Sequence, residues 1–221
     1  MVTGEVGVGK STAVRAFLAT LDDRRYHICY VGNTSATRSV LRQLAWTFGM
    51  RAAHLAGDLK DELHTRIGGL WREHQKRTVL VVDEAQAYGA KALQELRLLT
   101  NFECDSASPL ALVLAGQPGL RAQLKTPQFE ALDDRIMIRQ HLAGLSLPET
   151  GDYIRAHLRA VGGPEDLFAD EAVDLVFQHA RGRPRRINKL CLQAVIKGGH
   201  KEVRPIDANH VQLVLKDIEH E

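Results

Sequence analysis

The sequence lacks the marks of several protein classes. Its three cysteines, Cys29, Cys104 and Cys191, are odd in number and far apart, so they match neither a disulfide framework nor a zinc-binding pattern. No apolar run approaches the roughly 20 residues that a membrane helix needs. The start of the chain also lacks the basic segment and long apolar core of a signal peptide. These absences predict a cytoplasmic protein with free thiols and no membrane segment.

A strong charge of either sign is also lacking. The 221 residues include 29 lysines and arginines and 27 aspartates and glutamates, which gives a net charge of +2. Nothing in the overall charge therefore demands a polyanionic partner, and any binding of nucleic acid must rest on a local patch. The length allows one large domain, or a larger domain followed by a small one.

The periodicity of apolar residues changes once along the chain. Up to about residue 145, short β-rich runs alternate with helical stretches, which is typical of an α/β fold with a parallel sheet. Strands are predicted at 26–31, 78–82, 110–114 and 136–142, and helices at 11–21, 34–48, 59–75, 91–102 and 119–132. From residue 146 only helices are predicted, at 148–161, 169–181, 184–198 and 207–221, with Pro148 in the first turn after Ser146 and Asp207 as an N-cap. We therefore expect two domains, residues 1–145 with the sheet and residues 146–221 all helical.

The strongest motif lies at the start of the chain. It satisfies G-x-x-x-x-G-K-[ST] with Gly4, Glu5, Val6, Gly7, Val8, Gly9, Lys10 and Ser11. Glycines let such a loop turn its amides and a helix N-terminus toward phosphate. Lys10 supplies a charge at the β- and γ-phosphates, the Ser11 hydroxyl is placed to ligate magnesium, and Thr12 is expected near the α-phosphate. The motif predicts ATP and Mg²⁺ as ligands.

The position of this motif is unusual. Such loops follow a buried strand, yet only residues 1–3 precede Gly4. We therefore expect the first strand to be truncated, and a central strand built from so few residues is not expected to form.

A second motif follows about seventy residues later. Four apolar residues lead into Asp83 and Glu84, which places two acids at the carboxyl end of a buried strand, where α/β sheets bind ligands. Asp83 is predicted to hold magnesium and Glu84 to be the general base that activates the attacking water. Taken alone, such a pair is also consistent with a helix cap. The spacing leaves room for an extra strand at 26–31, which favours the additional-strand (ASCE) P-loop NTPases.

The motifs together resemble the ExeA-type AAA+ ATPases, a group that includes general secretion pathway component A and the transposon-associated TniB, TnsC and MuB-like proteins. The resemblance rests on residues 3–11, 82–86, 96–103, 116–118 and 182–191. It implies an AAA+ core with a small helical lid, assembly into homo-oligomers that depends on ATP, and hydrolysis that acts as a timing switch.

Further site residues follow from the AAA+ resemblance. Gln117, after the strand at 110–114, is the candidate sensor between the acids and the γ-phosphate, or else a turn residue before Pro118. Arg135 is the candidate arginine that acts on a neighbouring subunit, with Arg139 as its competitor, or else an ion-pair partner of nearby aspartates.

The start of a predicted lid helix carries a cluster of basic residues. Arg185 is expected to contact the phosphates from there, as lid sensors do in AAA+ proteins. The rest of the cluster either contacts the nucleic-acid backbone or forms a solvated face; it consists of Arg181, Arg183, Arg186 and Lys189.

Three functions are consistent with this sequence. The leading hypothesis is an ATP-dependent, DNA-binding regulator of transposition that acts as an oligomer with duplex DNA and a transposase. The second is the cytoplasmic ATPase module of a secretion-pathway component A. The third is a nucleotide-dependent scaffold with negligible turnover, which the presence of both Glu84 and Gln117 disfavours.

Overall fold

The computed structural model describes residues 1–32, 39–50, 56–102, 107–199 and 205–219. The chain packs as two compact units. The first comprises Met1–Gly4 and Lys10–His141, and the second comprises Glu5–Gly9 and Leu142–Glu221. Within the described ranges, no helix is both long and apolar enough to cross a membrane.

A sheet forms the centre of the first unit. Its strands are β1 (Val2–Gly4), β2 (Tyr26–Val31), β3 (Arg77–Val82), β4 (Leu110–Gly116) and β5 (Gln140–Leu142). They lie in the order β2-β3-β4-β1-β5, and β2 with β3, β3 with β4 and β4 with β1 pair in parallel. The carboxyl ends of β1, β3 and β4 therefore meet at one edge of the sheet. The predicted α/β fold with a parallel sheet is confirmed.

Helices flank this sheet on both faces. They are α1 (Lys10–Ala19), α2 (Val40–Thr47), α3 (Ala56–His74), α4 (Ala90–Leu99), α5 (Gly119–Leu124) and α6 (Glu130–Asp133). Alternate residues of β3 point to opposite faces: Val79 and Val81 pack in one cluster with α1, whereas Leu80 and Val82 pack in the main core with α2, α3 and α4. A strand buried on both faces needs a continuous apolar run, which is why β3 is so easily recognised in the sequence.

The central strand is short but present. Val2 pairs with Ala115 and Thr3 with Gly116, so β1 lies next to β4. The main-chain amide of Gln140 also donates to the carbonyl of Met1 (2.9 Å). The expectation that the few residues before the loop cannot form this strand was wrong, because strands on both sides satisfy the backbone of those residues.

Two predicted elements of the first unit differ from the structure, and a third lies partly outside the described residues. The helix expected at 119–132 is interrupted by a 3₁₀ turn at Pro127–Phe129. Proline has no amide to donate and disfavours helical geometry in the residue before it; Thr126 is accordingly extended, with φ −78° and ψ 149°. The strand expected at 136–142 shortens to Gln140–Leu142. The helix expected at 34–48 begins at Val40 among the described residues, and 34–38 lie outside them.

The second unit is helical in its described part from α7 onward. Its helices are α7 (Leu147–Ala160), α8 (Asp170–Ala180), α9 (Pro184–Gly199) and α10 (Ala208–Glu219), and they enclose a separate apolar core. Ser146 caps α7 in a reciprocal capping box with Glu149. Asp207 accepts the amide of His210 at the start of α10 (3.2 Å). Both helix starts are those that the sequence predicts.

Candidate functional site

The phosphate-binding motif forms a tight loop between β1 and α1. Gly7 and Gly9 have φ of +85° and +100°, a region in which a side chain is strained. The helix starts at Lys10 directly after the loop, so its first amides are available to an anion. Glu5 and Val6 are exposed, Val8 is half-buried, and Thr12 lies exposed in the first turn of α1. This local geometry is suited to phosphate.

Lys10 is buried despite its charge. Its side chain is only 5 % exposed, and Nζ donates a hydrogen bond to the carbonyl of Gly4 (2.7 Å), the first residue of the loop. A buried ammonium is costly unless it is paired with acceptors or an anion. The ammonium group of Lys10 therefore lies next to Gly4, where the sequence predicts a positive charge.

Ser11 and Asp83 meet across the first unit. The hydroxyl of Ser11 donates to Oδ2 of Asp83 (2.7 Å), and the amide of Glu84 donates to Oδ1 of the same carboxylate (2.9 Å). Hydroxyl and carboxylate oxygens are the ligands that Mg²⁺ prefers. The donor set at this point therefore fits the predicted magnesium ion.

Tyr30 is a site residue that the motifs did not reveal. Its hydroxyl donates to Oδ2 of Asp83, the oxygen that also accepts from Ser11. Partial burial and this hydrogen bond raise the pKa of Tyr30 to about 12, so the phenol stays protonated and remains a donor at neutral pH. The available signal in the sequence was a tyrosine next to the last residue of β2, the strand that pairs with β3.

Glu84 has an unusual backbone conformation. Its φ of 50° and ψ of 41° lie in the left-handed region, which is uncommon for a residue with a side chain and is often found at functional sites. The carboxylate is half-buried. Its Oε2 accepts from Nε2 of Gln117 (3.3 Å) and from Nε2 of Gln86. The structure thus brings together the candidate base and the candidate sensor. It adds Gln86, to which the motifs assigned no role.

The two candidate arginines differ in their surroundings. Arg139 donates to both the carboxylate and the main-chain carbonyl of Asp133 (2.7 Å each). It lies just before β5, so the expectation that Arg139 belongs to a strand was wrong. Met137 and Ile138, which precede β5, are 94 % and 69 % exposed, so their side chains add little buried apolar surface that would favour a longer strand. Arg135 follows α6 and is exposed. An ion pair with Asp133 is therefore established for Arg139.

Arg185 and its neighbours belong to the second unit. Arg185 lies in the first turn of α9, and its amide donates to the carbonyl of Gly7 (3.3 Å) in the same unit. A Cβ added to Gly7 would lie 3.0 Å from Cβ of Arg185. The two backbones therefore approach closely. The exposed basic residues around this point are Arg181, Arg185, Arg186 and Lys189, whereas Arg183 is half-buried.

The fold and the loop define a P-loop NTPase of the AAA+ type. A sequence family described as AAA domain matches residues 1–124, and the chain belongs to this family. It is 36 % identical over 214 residues to General secretion pathway protein A of Aeromonas hydrophila, a match that covers 92 % of this chain and 38 % of that protein. It is 29 % identical over 144 residues to ATP-dependent target DNA activator B of Escherichia phage Mu, covering 63 % and 42 %.

The resemblance predicted from the motifs is therefore confirmed. The chain spans less than half of the length of these two relatives. Among solved structures it is similar to Cdc6p from Pyrobaculum aerophilum, with a TM-score of 0.69 and 17 % identity, over 93 % of this chain and 56 % of that one. This last likeness concerns the fold alone.

Proposed function

We propose that this chain binds ATP with Mg²⁺ and hydrolyses it to ADP and phosphate. The observation that carries the proposal is the convergence of Lys10, Ser11, Asp83 and Glu84 with Gln117 in the first unit, in a member of the AAA-domain family. A loop and a cation for phosphates, hard oxygens for a metal and a carboxylate base are the parts that phosphoryl transfer requires. The nucleotide-binding domain is proposed at residues 1–145 and the lid at 146–221.

Each residue has a role in the proposed reaction. The loop amides and Lys10 bind the β- and γ-phosphates. Ser11 and Asp83 would hold Mg²⁺, which would supply positive charge to neutralise those phosphates. Glu84 accepts a proton from water while the water oxygen bonds to the γ-phosphorus. The bond from that phosphorus to the β–γ bridging oxygen breaks, and ADP leaves. Gln117 orients Glu84, and Arg185 contacts the phosphates from the start of α9.

Nucleotide binding can be tested separately from hydrolysis. Lys10→Ala removes a buried cation from the loop, so calorimetric titration with ATP and Mg²⁺ is expected to show affinity at least ~100-fold weaker than the wild type, by loss of a charge-assisted contact. Lys125→Ala, which removes an exposed lysine after α5, is the matched control and is expected to bind normally. Equal affinity in the wild type and Lys10→Ala contradicts the assignment of the loop.

As its biological role, we propose an ATP-dependent, DNA-binding regulator of transposition in the cytoplasm that recruits a transposase as an oligomer. Two observations support it: the exposed basic residues at the start of α9, and the similarity to a protein named as an ATP-dependent target DNA activator. The proposal predicts that ATP strengthens binding to linear duplex DNA at low salt, where backbone contacts are strongest. Absence of such binding contradicts it.

A second role is favoured by a different observation. Identity to General secretion pathway protein A is higher and extends over 92 % of this chain. In that role the chain is the ATPase module of a secretion-pathway assembly factor. ATP turnover that does not respond to duplex DNA favours this role over transposition.

A further inference from the structure

Gln86 uses both ends of its side-chain amide in the first unit. It lies in the single 3₁₀ turn Ala85–Ala87 that follows the two acids. Its Nε2 donates to Oε2 of Glu84, and its Oε1 accepts the backbone amide of Gln117 (3.0 Å). One side chain therefore joins the carboxylate after β3 to the tip of β4.

Packing as well as hydrogen bonding holds this amide in place. A Cβ added to Gly116 would lie 2.5 Å from Oε1 of Gln86 and 2.9 Å from Cδ2 of Leu120. Gly116 is buried at the end of β4. The amide thus occupies space that only a glycine at this position leaves open.

The carboxylate of Glu84 depends on its neighbours for its direction. The left-handed backbone at φ 50° turns the residue away from the direction of β3, and such a conformation persists only where its surroundings fix it. The contact from Gln117 is long, at 3.3 Å, while Gln86 approaches the same oxygen more closely. Gln86 is therefore the main hydrogen-bonding partner of the candidate base among the contacts that the structure describes.

We propose that Gln86 is a positioning residue for ATP hydrolysis. It holds the Glu84 carboxylate in a fixed position relative to Gln117 at the end of β4. The inference rests on the proposed function. An uncharged amide suits this role because it offers a donor and an acceptor together. A glutamate offers no donor when ionised, and a methionine of similar length offers neither group. Because Gln86 acts through Glu84, its loss affects the hydrolytic step and spares nucleotide binding.

Gln86→Met and Gln86→Glu test this role, with Gln94→Met on the exposed face of α4 as the matched control. Steady-state phosphate release gives kcat, titration with a fluorescent ATP analogue and Mg²⁺ gives affinity, and thermal melting identifies the variants that fold. We expect both Gln86 variants to lose roughly 10- to 100-fold in kcat, as for a misplaced catalytic group. Affinity should stay within about twofold of the wild type, because the hydrogen bonds that the structure describes for the Gln86 side chain go to Glu84 and Gln117.

A double variant separates positioning from a general structural effect. If Gln86 acts through Glu84, the double variant with Gln86→Met and Glu84→Gln has the same single-turnover hydrolysis rate as Glu84→Gln alone. A further loss in the double variant, or an unchanged kcat in either folded Gln86 variant, overturns the inference while the proposed ATPase function stands. Absence of turnover in the wild type contradicts the proposed function, and the role of Gln86 with it.

Discussion

The Ser11 hydroxyl lies 2.7 Å from Oδ2 of Asp83, although 72 positions separate the two residues in the sequence. The first turn of α1 and the end of β3 are brought together because β3 and β1 both lie beside β4 and point the same way. Their contact places two oxygen ligands at the carboxyl edge of the sheet. The sheet order thereby builds the candidate magnesium site.

Tyr30→Phe is expected to weaken the response to Mg²⁺. The lost hydroxyl orients the Asp83 carboxylate, and loss of such an outer hydrogen bond typically costs 10- to 100-fold in metal affinity. We predict that the Mg²⁺ concentration for half-maximal ATP turnover rises at least ~10-fold. Tyr26→Phe, at the start of the same strand, is the control. An unchanged Mg²⁺ requirement in Tyr30→Phe contradicts the assigned role.

Gly116→Ala is expected to destabilise the chain and to disturb the site together. Its new methyl group must displace Gln86 or Leu120, and such overpacking typically costs about 1–3 kcal/mol. Urea titration measures the free energy of unfolding, and phosphate release measures the effect on turnover. Gly89→Ala adds the same methyl group where nothing lies within 4 Å and is expected to change neither quantity appreciably. Equal behaviour of the two variants argues against the close packing around Gln86.

Arg135 is expected to act on the site of a neighbouring subunit. If so, Arg135→Ala and Glu84→Gln are each inactive, but a mixture recovers part of the turnover because some interfaces contain both intact residues. A mixture of Lys10→Ala with Glu84→Gln is the control, since both changes damage the same site and cannot complement. Arg139→Ala should instead lower stability, through loss of its contacts with Asp133. No recovery in the first mixture counts against Arg135.

Reversal of charge at the start of α9 tests the proposed DNA surface. Arg186→Glu and Lys189→Glu remove exposed cations, and each lost phosphate contact should reduce the slope of log affinity against log salt by about 0.9. Fluorescence anisotropy with a labelled duplex at several salt concentrations measures that slope. Lys91→Glu and Lys125→Glu reverse exposed charges of the first unit as controls. Equal losses in both pairs indicate a nonspecific effect of net charge.

Much of the fold could be predicted because its signals are local. β2 occupies the predicted residues 26–31, and the buried run of β3 needs only apolar residues in sequence. The helix break at Pro127 also had a local signal, the proline itself. The apolar periodicity on both sides of it nevertheless favoured one continuous helix. The role of Tyr30 could not be predicted, because the register of β2 on β3 decides which carboxylate its hydroxyl meets. The role of Gln86 could not be predicted for a similar reason, because its partner Gln117 follows a different strand, β4.

ATP turnover by the wild type beside Glu84→Gln, with and without linear duplex DNA, tests the central claim most directly. We predict magnesium-dependent phosphate release by the wild type, stimulated by the duplex, and loss of at least ~100-fold in Glu84→Gln, as expected when a general base is removed. The variant should still bind ATP, since the hydrogen bonds that the structure describes for the Glu84 side chain go to Gln86 and Gln117. Wild-type turnover that persists undiminished in Glu84→Gln contradicts the account.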